Sequence, residues 1–258
     1  MPMKTILFVL VALISFGVSA QLKKERVPSY FGLQVRPVFP TRFIGESELT
    51  INQDDPESVF FTTTISQKIG YSFGATVRAG LTKLIALETG INFTQRNFDL
   101  TMSLPDSSIN GSNDISFISY DIPINALFYI RLAEQWYMNA SLGVAINFAP
   151  THVGVQTNPT GYHYFTHTGI LDNKIGFDLN ANIGFEFRTE KSGFFYLGGS
   201  GRVPFAPIFT LVTNYRYKGY SSSVDGEVDG SFLSIDFKYF FPNIKNKGTQ
   251  PLNGPIVQ

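Results

Sequence analysis

Apolar and polar residues alternate with a strict period of two from Lys174 to Arg188. Ile175, Phe177, Leu179, Ala181, Ile183, Phe185 and Phe187 share one parity; Gly176, Asp178, Asn180, Asn182, Gly184, Glu186 and Arg188 share the other. On a helix these apolar residues would spread around every face. On a strand they make one apolar face and one polar face. A soluble sandwich can use that pattern, and so can a strand with lipid on one side and a polar lumen on the other.

The same alternation predicts seven further strands. The first covers Tyr30–Phe39, with Phe31, Leu33 and Val35 opposed to Gly32, Gln34 and Arg36. The second runs from Val59 to Gly80, with Phe61, Ile65, Ile69, Tyr71, Phe73, Ala75, Val77 and Ala79 on one parity. The third puts Ile85, Leu87, Ile91 and Phe93 outward and Glu88, Asn92, Thr94 and Arg96 inward. Its apolar parity switches at Phe98, Leu100 and Met102, which predicts a bulge or the end of the spanning part. The fourth, Ile115–Ile130, turns Tyr120, Ile122, Ile124, Phe128 and Ile130 outward against Asp121, Asn125 and Tyr129, with Pro123 an expected irregularity. The fifth starts at Trp136, the sixth is the opening stretch, the seventh runs from Phe194 to Tyr217 with Phe205, Phe209 and Leu211 on its apolar face, and the eighth carries Leu233–Phe241. The connections alternate. Thr41–Glu57, Pro105–Asp114, Ala149–Gly169 and Gly219–Gly230 read as long polar loops, whereas Leu81–Lys83, Arg131–Gln135 and Thr189–Ser192 are tight.

An even number of strands with alternating short and long connections predicts an all-β fold: an eight-stranded antiparallel transmembrane β-barrel with short periplasmic turns, long extracellular loops and both termini in the periplasm. Closure is required in lipid, where an open edge would leave backbone groups unpaired. Tyr30, Tyr120, Trp136, Phe187, Phe195, Tyr239 and Phe241 lie near strand ends and are the expected interfacial aromatics. The competing architecture, a secreted β-sandwich, does not account for apolar faces this aromatic with charges on the opposite parity of nearly every strand.

Composition points the same way. Charged residues make up 16% and aromatics 15% of the chain, few charges for a surface that must face water on all sides. The formal net charge is zero, so nothing favours nucleic acid as a partner. The absence of cysteine excludes a disulfide scaffold, a cysteine-ligated metal and a lipidated N-terminal cysteine. Lys4, the apolar run Ile6–Val18 and the small residues Val18-Ser19-Ala20 predict a signal peptide over residues 1–20, cut before Gln21. A periplasmic leader at 21–29, the barrel at 30–241 and a loose tail at 242–258 would follow.

The inward parity collects Arg36, Arg78, Arg96, Arg188, Arg202 and Lys238 with Glu88, Asp121, Asp178, Glu186 and Asp236. An eight-stranded interior is filled by side chains, so these eleven are expected to form a plug of ion pairs; a conducting or substrate-binding lumen is the alternative. No catalytic, cofactor-binding or metal-binding set emerges. His152, His163 and His167 fall in one loop, and the i,i+4 pair His163/His167 is not in a helical context. Lumen-facing Ser200 near Arg202, or Glu88 near Asp121, forms no recognised catalytic pattern.

Several segments carry a family resemblance. Gly74-Ala75-Thr76-Val77-Arg78-Ala79-Gly80, then Leu87-Glu88-Thr89-Gly90-Ile91, then Tyr120-Asp121-Ile122-Pro123-Ile124, then the glycine-containing strand Trp136–Asn147 follow one another in an order that resembles the PorT-like outer-membrane β-barrel proteins of Bacteroidota. The resemblance covers nearly all of Tyr30–Phe241 and implies the cell outer membrane with periplasmic termini. It implies no single activity, since such barrels serve in secretion machinery, adhesion or porin-like roles. The tail after Phe241 departs from a barrel that ends on its last aromatic. The function expected is a structural, interaction or secretion-accessory barrel; a narrow porin is the alternative and a rim enzyme a remoter one. Its partners would be outer-membrane lipid and lipopolysaccharide, the barrel-assembly machinery, and a protein reached through the outer loops.

Overall fold

A computed structural model of the chain describes residues 29–242 apart from 42, 54–58, 83, 160 and 190–191. The predicted signal peptide, leader and tail lie outside the described residues. Thirteen strands occur among those described, not eight: β1 (Ser29–Pro40), β2 (Glu48–Gln53), β3 (Phe61–Gly80), β4 (Ile85–Leu104), β5 (Ile109–Arg131), β6 (Trp136–Phe148), β7 (Val153–Thr157), β8 (Tyr164–Ile170), β9 (Ile175–Arg188), β10 (Phe194–Pro204), β11 (Phe209–Tyr217), β12 (Tyr220–Val228) and β13 (Phe232–Phe240).

Eight of them form a ring of antiparallel pairings. The order β1-β13-β10-β9-β6-β5-β4-β3 runs around it, and β3 pairs back to β1 from Ser29↔Ala79 to Val38↔Gly70. Neither β1 nor β3 is therefore an edge over this stretch. The tight connections β3–β4, β5–β6 and β9–β10 all lie at one end of the ring, the turn end. Opposite Pro123, which has no N–H to donate, the β4–β5 ladder skips Gly90 and Ile91 and resumes in the same register.

The five additional strands correct the loop assignments. Thr41–Glu57 contains β2, Ala149–Gly169 contains β7 and most of β8, and Gly219–Gly230 contains β12. The predicted single strand Phe194–Tyr217 is two strands, β10 and β11, broken after Pro204. The segment at Pro105 is one short 3-10 turn, after which β5 begins at once. β12-β11-β8-β7 form a second sheet. It faces the far halves of β3, β4 and β5, with β2 added at their edge, and makes a two-layered cap on the ring.

Along single strands the outward and inward chemistry exchange places. The outward residues of β4 run Ile85, Leu87, Ile91, Phe93 and then Gln95, Asn97, Asp99, Thr101, Ser103; the inward ones run Glu88, Asn92, Thr94, Arg96 and then Phe98, Leu100, Met102, Leu104. β5 does the same: Tyr120–Ile130 is apolar outward, while Asn110, Ser112, Asp114 and Ser116 face out in the cap above inward Ile115 and Phe117. The apparent parity switch at Phe98 is thus no bulge in β4. The strand continues straight while its interior changes from polar lumen to apolar cap core.

The bulge is in β3. Lys68 pairs with Asn97 but Tyr71 pairs with Gln95, one residue out of step. One extra residue exchanges the faces of a strand. Above the bulge the odd residues Phe61, Thr63, Ile65 and Gln67 face inward; below it the even residues Gly70, Ser72, Thr76 and Arg78 do. Phe61 and Ile65, expected on the lipid face, are instead buried in the cap. Phe209 and Leu211 are corrected likewise. The cap core joins Phe61, Ile65, Phe98, Leu100, Met102 and Phe117 to Phe165, Phe209, Leu211 and Tyr215 of the second sheet. Side chains latch the two seams where the sheets meet: Gln53 donates to Ser222 Oγ at 2.9 Å, and Asn113 donates to Thr157 Oγ1 at 3.0 Å.

The ring's apolar belt is bordered by aromatics. At the turn end Trp136 lies 5.0 Å from Phe187, Phe195 5.0 Å from Tyr239, and Phe31 5.8 Å from Phe241, by ring centroids. At the cap end Phe73, Phe93 and Tyr120 follow one another at 5.0 and 5.7 Å, and the Tyr71 hydroxyl donates to Gln95 at 2.8 Å. Tyr30, expected in the girdle, points inward and packs edge-on against Phe194 at 5.0 Å. On β5 the apolar stretch Tyr120–Ile130 matches the roughly 9–11 residues with which a tilted strand crosses hydrocarbon.

Two substitutions check the inversion. Leu100→Ala should destabilise the cap by about 2–5 kcal/mol through transfer and cavity terms. Thr101→Ala, one residue along and facing out, should change it by less than about 0.5 kcal/mol. Equal effects in urea titrations would contradict an apolar interior at that level.

Candidate functional site

The interior of the ring gathers the polar parity of every strand. Arg36, Arg78, Glu88, Arg96, Asp121, Asp178, Glu186, Arg188, Arg202, Asp236 and Lys238 all lie inside and are all buried, none more than 8% exposed. They divide into two charged layers with an amide layer between.

The layer nearest the turns is built on two glutamates. Glu88 accepts from Arg78 Nη2 at 2.6 Å and from Lys238 Nζ at 2.5 Å. Glu186 accepts from Arg188 Nη2 at 2.8 Å, from Asn139 at 2.7 Å and from Arg78 Nη1. Arg78 therefore joins the two carboxylates across the ring. Aromatic faces cover the guanidinium groups: Arg78 sits 4.2 Å from the Phe240 ring centre and Arg188 4.2 Å from that of Tyr137. Such stacking suits arginine's weakly hydrated, planar cation.

The layer nearest the cap is built on Asp121. It is bound in a fork by Arg202 and accepts from Asn92 at 2.5 Å and Thr94 at 3.2 Å; Arg36 Nη2 stands 3.7 Å away. Asp178 accepts from Asn147 at 2.6 Å and lies 3.7 Å from Arg202. Arg96 has no carboxylate partner among the described residues. It donates to the Gly230 carbonyl at 2.8 Å and lies 5.1 Å from the Phe232 ring centre.

Between these layers Gln34, Asn125, Asn180 and Asn182 meet Asp236, which accepts from Asn182 at 2.7 Å, Ser234 at 2.8 Å and Ser200 at 3.0 Å. These residues surround a cavity of about 20 Å³, room for about one water molecule. Asn180 Oδ1 and Arg36 Nη2 at its wall have no hydrogen-bond partner among the described residues. The charges alone did not reveal Asn92, Asn139, Asn147, Asn182 and Tyr196 as members of the network. Their inward parity was the available signal, and an amide carries no charge to mark it.

No described group of three His, Cys, Asp or Glu side chains could hold a metal ion. The histidines are engaged separately in the cap. His152 Nδ1 accepts from the Leu171 N–H at 3.0 Å, His163 Nδ1 meets the Tyr215 hydroxyl at 2.7 Å, and buried His167 meets Thr213 Oγ1 at 3.0 Å. His167 lies on the inward parity of β8 and His163 immediately precedes that strand, so the two are not on a helix. Ser200 donates to Asp236 at 3.0 Å, and Glu88 and Asp121 belong to different layers.

No family model matches the chain. No curated protein matches it. Among solved structures, it is similar to the outer membrane protein OprG from Pseudomonas aeruginosa, with 11% identity, 85% of this chain and 98% of that chain covered, and a TM-score of 0.48.

Two measurements test the interior. Asp121→Asn removes the charge shared by Arg202 and Arg36 and should cost about 3–5 kcal/mol, as for other broken buried pairs. Asp178→Asn, whose nearest guanidinium is 3.7 Å away, should cost clearly less in the same unfolding titration. In the cap, burial pushes the His167 pKa down to about 4 from 6.5. The unfolded chain then binds the extra proton first as pH falls. Cap stability should be full above pH 6.5, fall by up to about 3 kcal/mol between pH 6.5 and 4, and level off below. Hydrogen exchange of β8 and β11 against pH would show this slope, and His167→Asn should remove it.

Proposed function

We propose that the chain is an eight-stranded barrel of the cell outer membrane that does not conduct, and that it works by holding its cap as a rigid interaction surface outside the cell. The observation that carries this reading is the filled interior. Two charged layers close the ring, and an apolar core continues above them. A pore needs a wet path through both, and the lumen cavity of about 20 Å³ is far short of one.

The outer-membrane placement is supported by the closed pairing ring, the belt of outward apolar residues and the aromatics at both its borders. The tight turns at one end and the cap at the other support a periplasmic turn end, as the usual asymmetry of such barrels. β1 begins and β13 ends at that turn end, where the Phe241 N–H donates to the Phe31 carbonyl at 2.9 Å, so both termini would be periplasmic. Lipid and lipopolysaccharide would surround the belt, and assembly machinery would insert it. The resemblance to PorT-like barrels supports an accessory role beside a secretion or adhesion partner. The role is not enzymatic in this reading: each histidine is engaged in cap packing, and Glu88, Glu186 and Asp121 are each bound by arginine or lysine.

Planar-bilayer recording of the purified protein should remain silent at high salt. Reproducible single-channel steps that survive exchange of detergent would overturn the reading in favour of a narrow porin.

A further inference from the structure

The apolar belt is interrupted along β10. The outward positions of that strand read Phe195, Leu197, Gly199, Gly201 and Val203. In the ladders Gly199 stands between Ile183 of β9 and Ile235 of β13, and Gly201 between Ala181 and Leu233. Two bare positions in one row, with side chains on both flanking strands, leave a groove of about 580 Å³ whose floor is backbone. Ile44, from the β1–β2 connection, reaches the cap end of this groove: a Cβ on Gly201 would stand 3.3 Å from its Cδ1. That connection is tied down where the Glu46 N–H donates to Asp229 Oδ2 at 3.0 Å.

Inward glycines of the same strands make room for protein atoms. A Cβ on Gly184 or Gly198 would strike the Tyr196 hydroxyl. Gly199 meets neither of the needs that usually call for glycine. Its φ is not positive. Among the described residues a Cβ there meets nothing nearer than the Ser234 carbonyl at 3.9 Å, an ordinary contact. A larger residue would therefore fit the strand, and glycine inside a strand weakens it. Glycine at such a position marks the close approach of a ligand or of another chain.

We propose that this groove seats one acyl chain of lipopolysaccharide in the outer leaflet. Width selects the occupant. Ile183 and Ile235 lie one strand to either side of β10, about 9.5 Å apart along the sheet. One row of side chains is missing between them, which is room for a single polymethylene chain; an α-helix with its side chains is about 10–12 Å across. A second copy of the barrel is convex like the first and would touch the rim, leaving the glycine floor bare. Length agrees. Leu197 to Val203 covers about 20 Å of strand, or about 15 Å of depth at the usual tilt, half of a hydrocarbon core of roughly 30 Å. The groove is continuous with the apolar belt and lies in its cap half, so the seat rests on the reading that the belt is in the outer membrane with the cap outside. In hydrocarbon the gain is close packing against the floor and not transfer from water.

The test is native mass spectrometry of the full-length purified protein, delipidated in detergent and titrated with lipopolysaccharide or with phosphatidylethanolamine. One lipopolysaccharide per barrel should stay bound to the wild type. Gly199→Ala should lower that occupancy by about threefold, and Gly199→Val, which fills the floor, by about tenfold or more. Ala126→Val, an outward position of β5 three strands away around the ring, should leave it unchanged. Heat-modifiable migration shows that each variant folds. No retained lipopolysaccharide, equal retention in the Gly199 and Ala126 variants, or tighter retention of phosphatidylethanolamine overturns the proposal. Sucrose-gradient fractionation tests the placement separately: a barrel found in the outer membrane but without this lipid sinks the seat and leaves the functional reading standing.

Discussion

In the proposed outer-membrane setting, backbone hydrogen bonding in a solvent without water is the constraint on which the rest of this structure depends. A strand facing hydrocarbon must place every N–H and C=O on a neighbouring strand, because an unpaired group there costs several kcal/mol. The return pairing of β3 to β1 satisfies that demand. It also fixes the width of the ring. Eight strands enclose a space that side chains alone can fill, so a polar inward parity cannot stay dissolved in a wide channel. Arg78 reaching both Glu88 and Glu186, and Arg202 forking onto Asp121, follow from that narrowness. Among the described residues Arg96 has no carboxylate within ion-pair distance, and it meets a carbonyl and two aromatic faces, those of Phe232 and Phe117.

The second organising feature is the level at which inside and outside exchange chemistry. Below it, the apolar residues look outward and the polar ones inward; above it the same strands reverse. A continuous strand can make that exchange by changing its sequence, as β4 and β5 do, or by changing its phase, as β3 does with its bulge near Ile69 and Gly70. In β3 the apolar residues stay on one sequence parity throughout, and the extra residue turns Phe61 and Ile65 into the cap while Tyr71 and Phe73 remain on the outer belt. The two devices produce one boundary, and Lys68, Tyr71 and Gln95 lie along it.

How much was legible in the sequence follows from these two devices. In β9, sequence parity and structural face coincide, and Asp178, Glu186 and Arg188 share the buried face that the alternation sets apart. The same holds for β4 up to Arg96. Beyond it the alternation itself was visible, but its meaning was hidden. Phe98, Leu100 and Met102 are apolar like the outward residues below them, and nothing local distinguishes an apolar residue meeting lipid from one meeting a second sheet. That second sheet was hidden for the complementary reason. Tyr220–Val228 is rich in serine with glycine and acids, which reads as a loop, and its strand character comes from pairing with β11. The bulge was illegible because a single inserted residue leaves no compositional mark.

The plug and the cap core reinforce each other through their positions. The upper charged layer ends at Arg96 and Phe117, and Phe117 is also a member of the cap core, packed 5.6 Å from Phe209. Charge pairs and apolar packing therefore share a boundary at the Phe117 ring, which lies 5.7 Å from the Arg96 guanidinium and 5.6 Å from the Phe209 ring. A buried ion pair gives little net stability, yet it is costly to disrupt once formed. An apolar core resists change of volume for a different reason, its close packing. Stacked together, they make tilting of the cap against the ring expensive, since any tilt would open one or the other. Rigidity of that kind has little use in a channel, which must let something pass. It suits the proposed role of holding a surface at a fixed height and angle, and the stacked column from Phe165 through Tyr215 to His163 and Tyr217 carries that packing to the far end of β8 and β11.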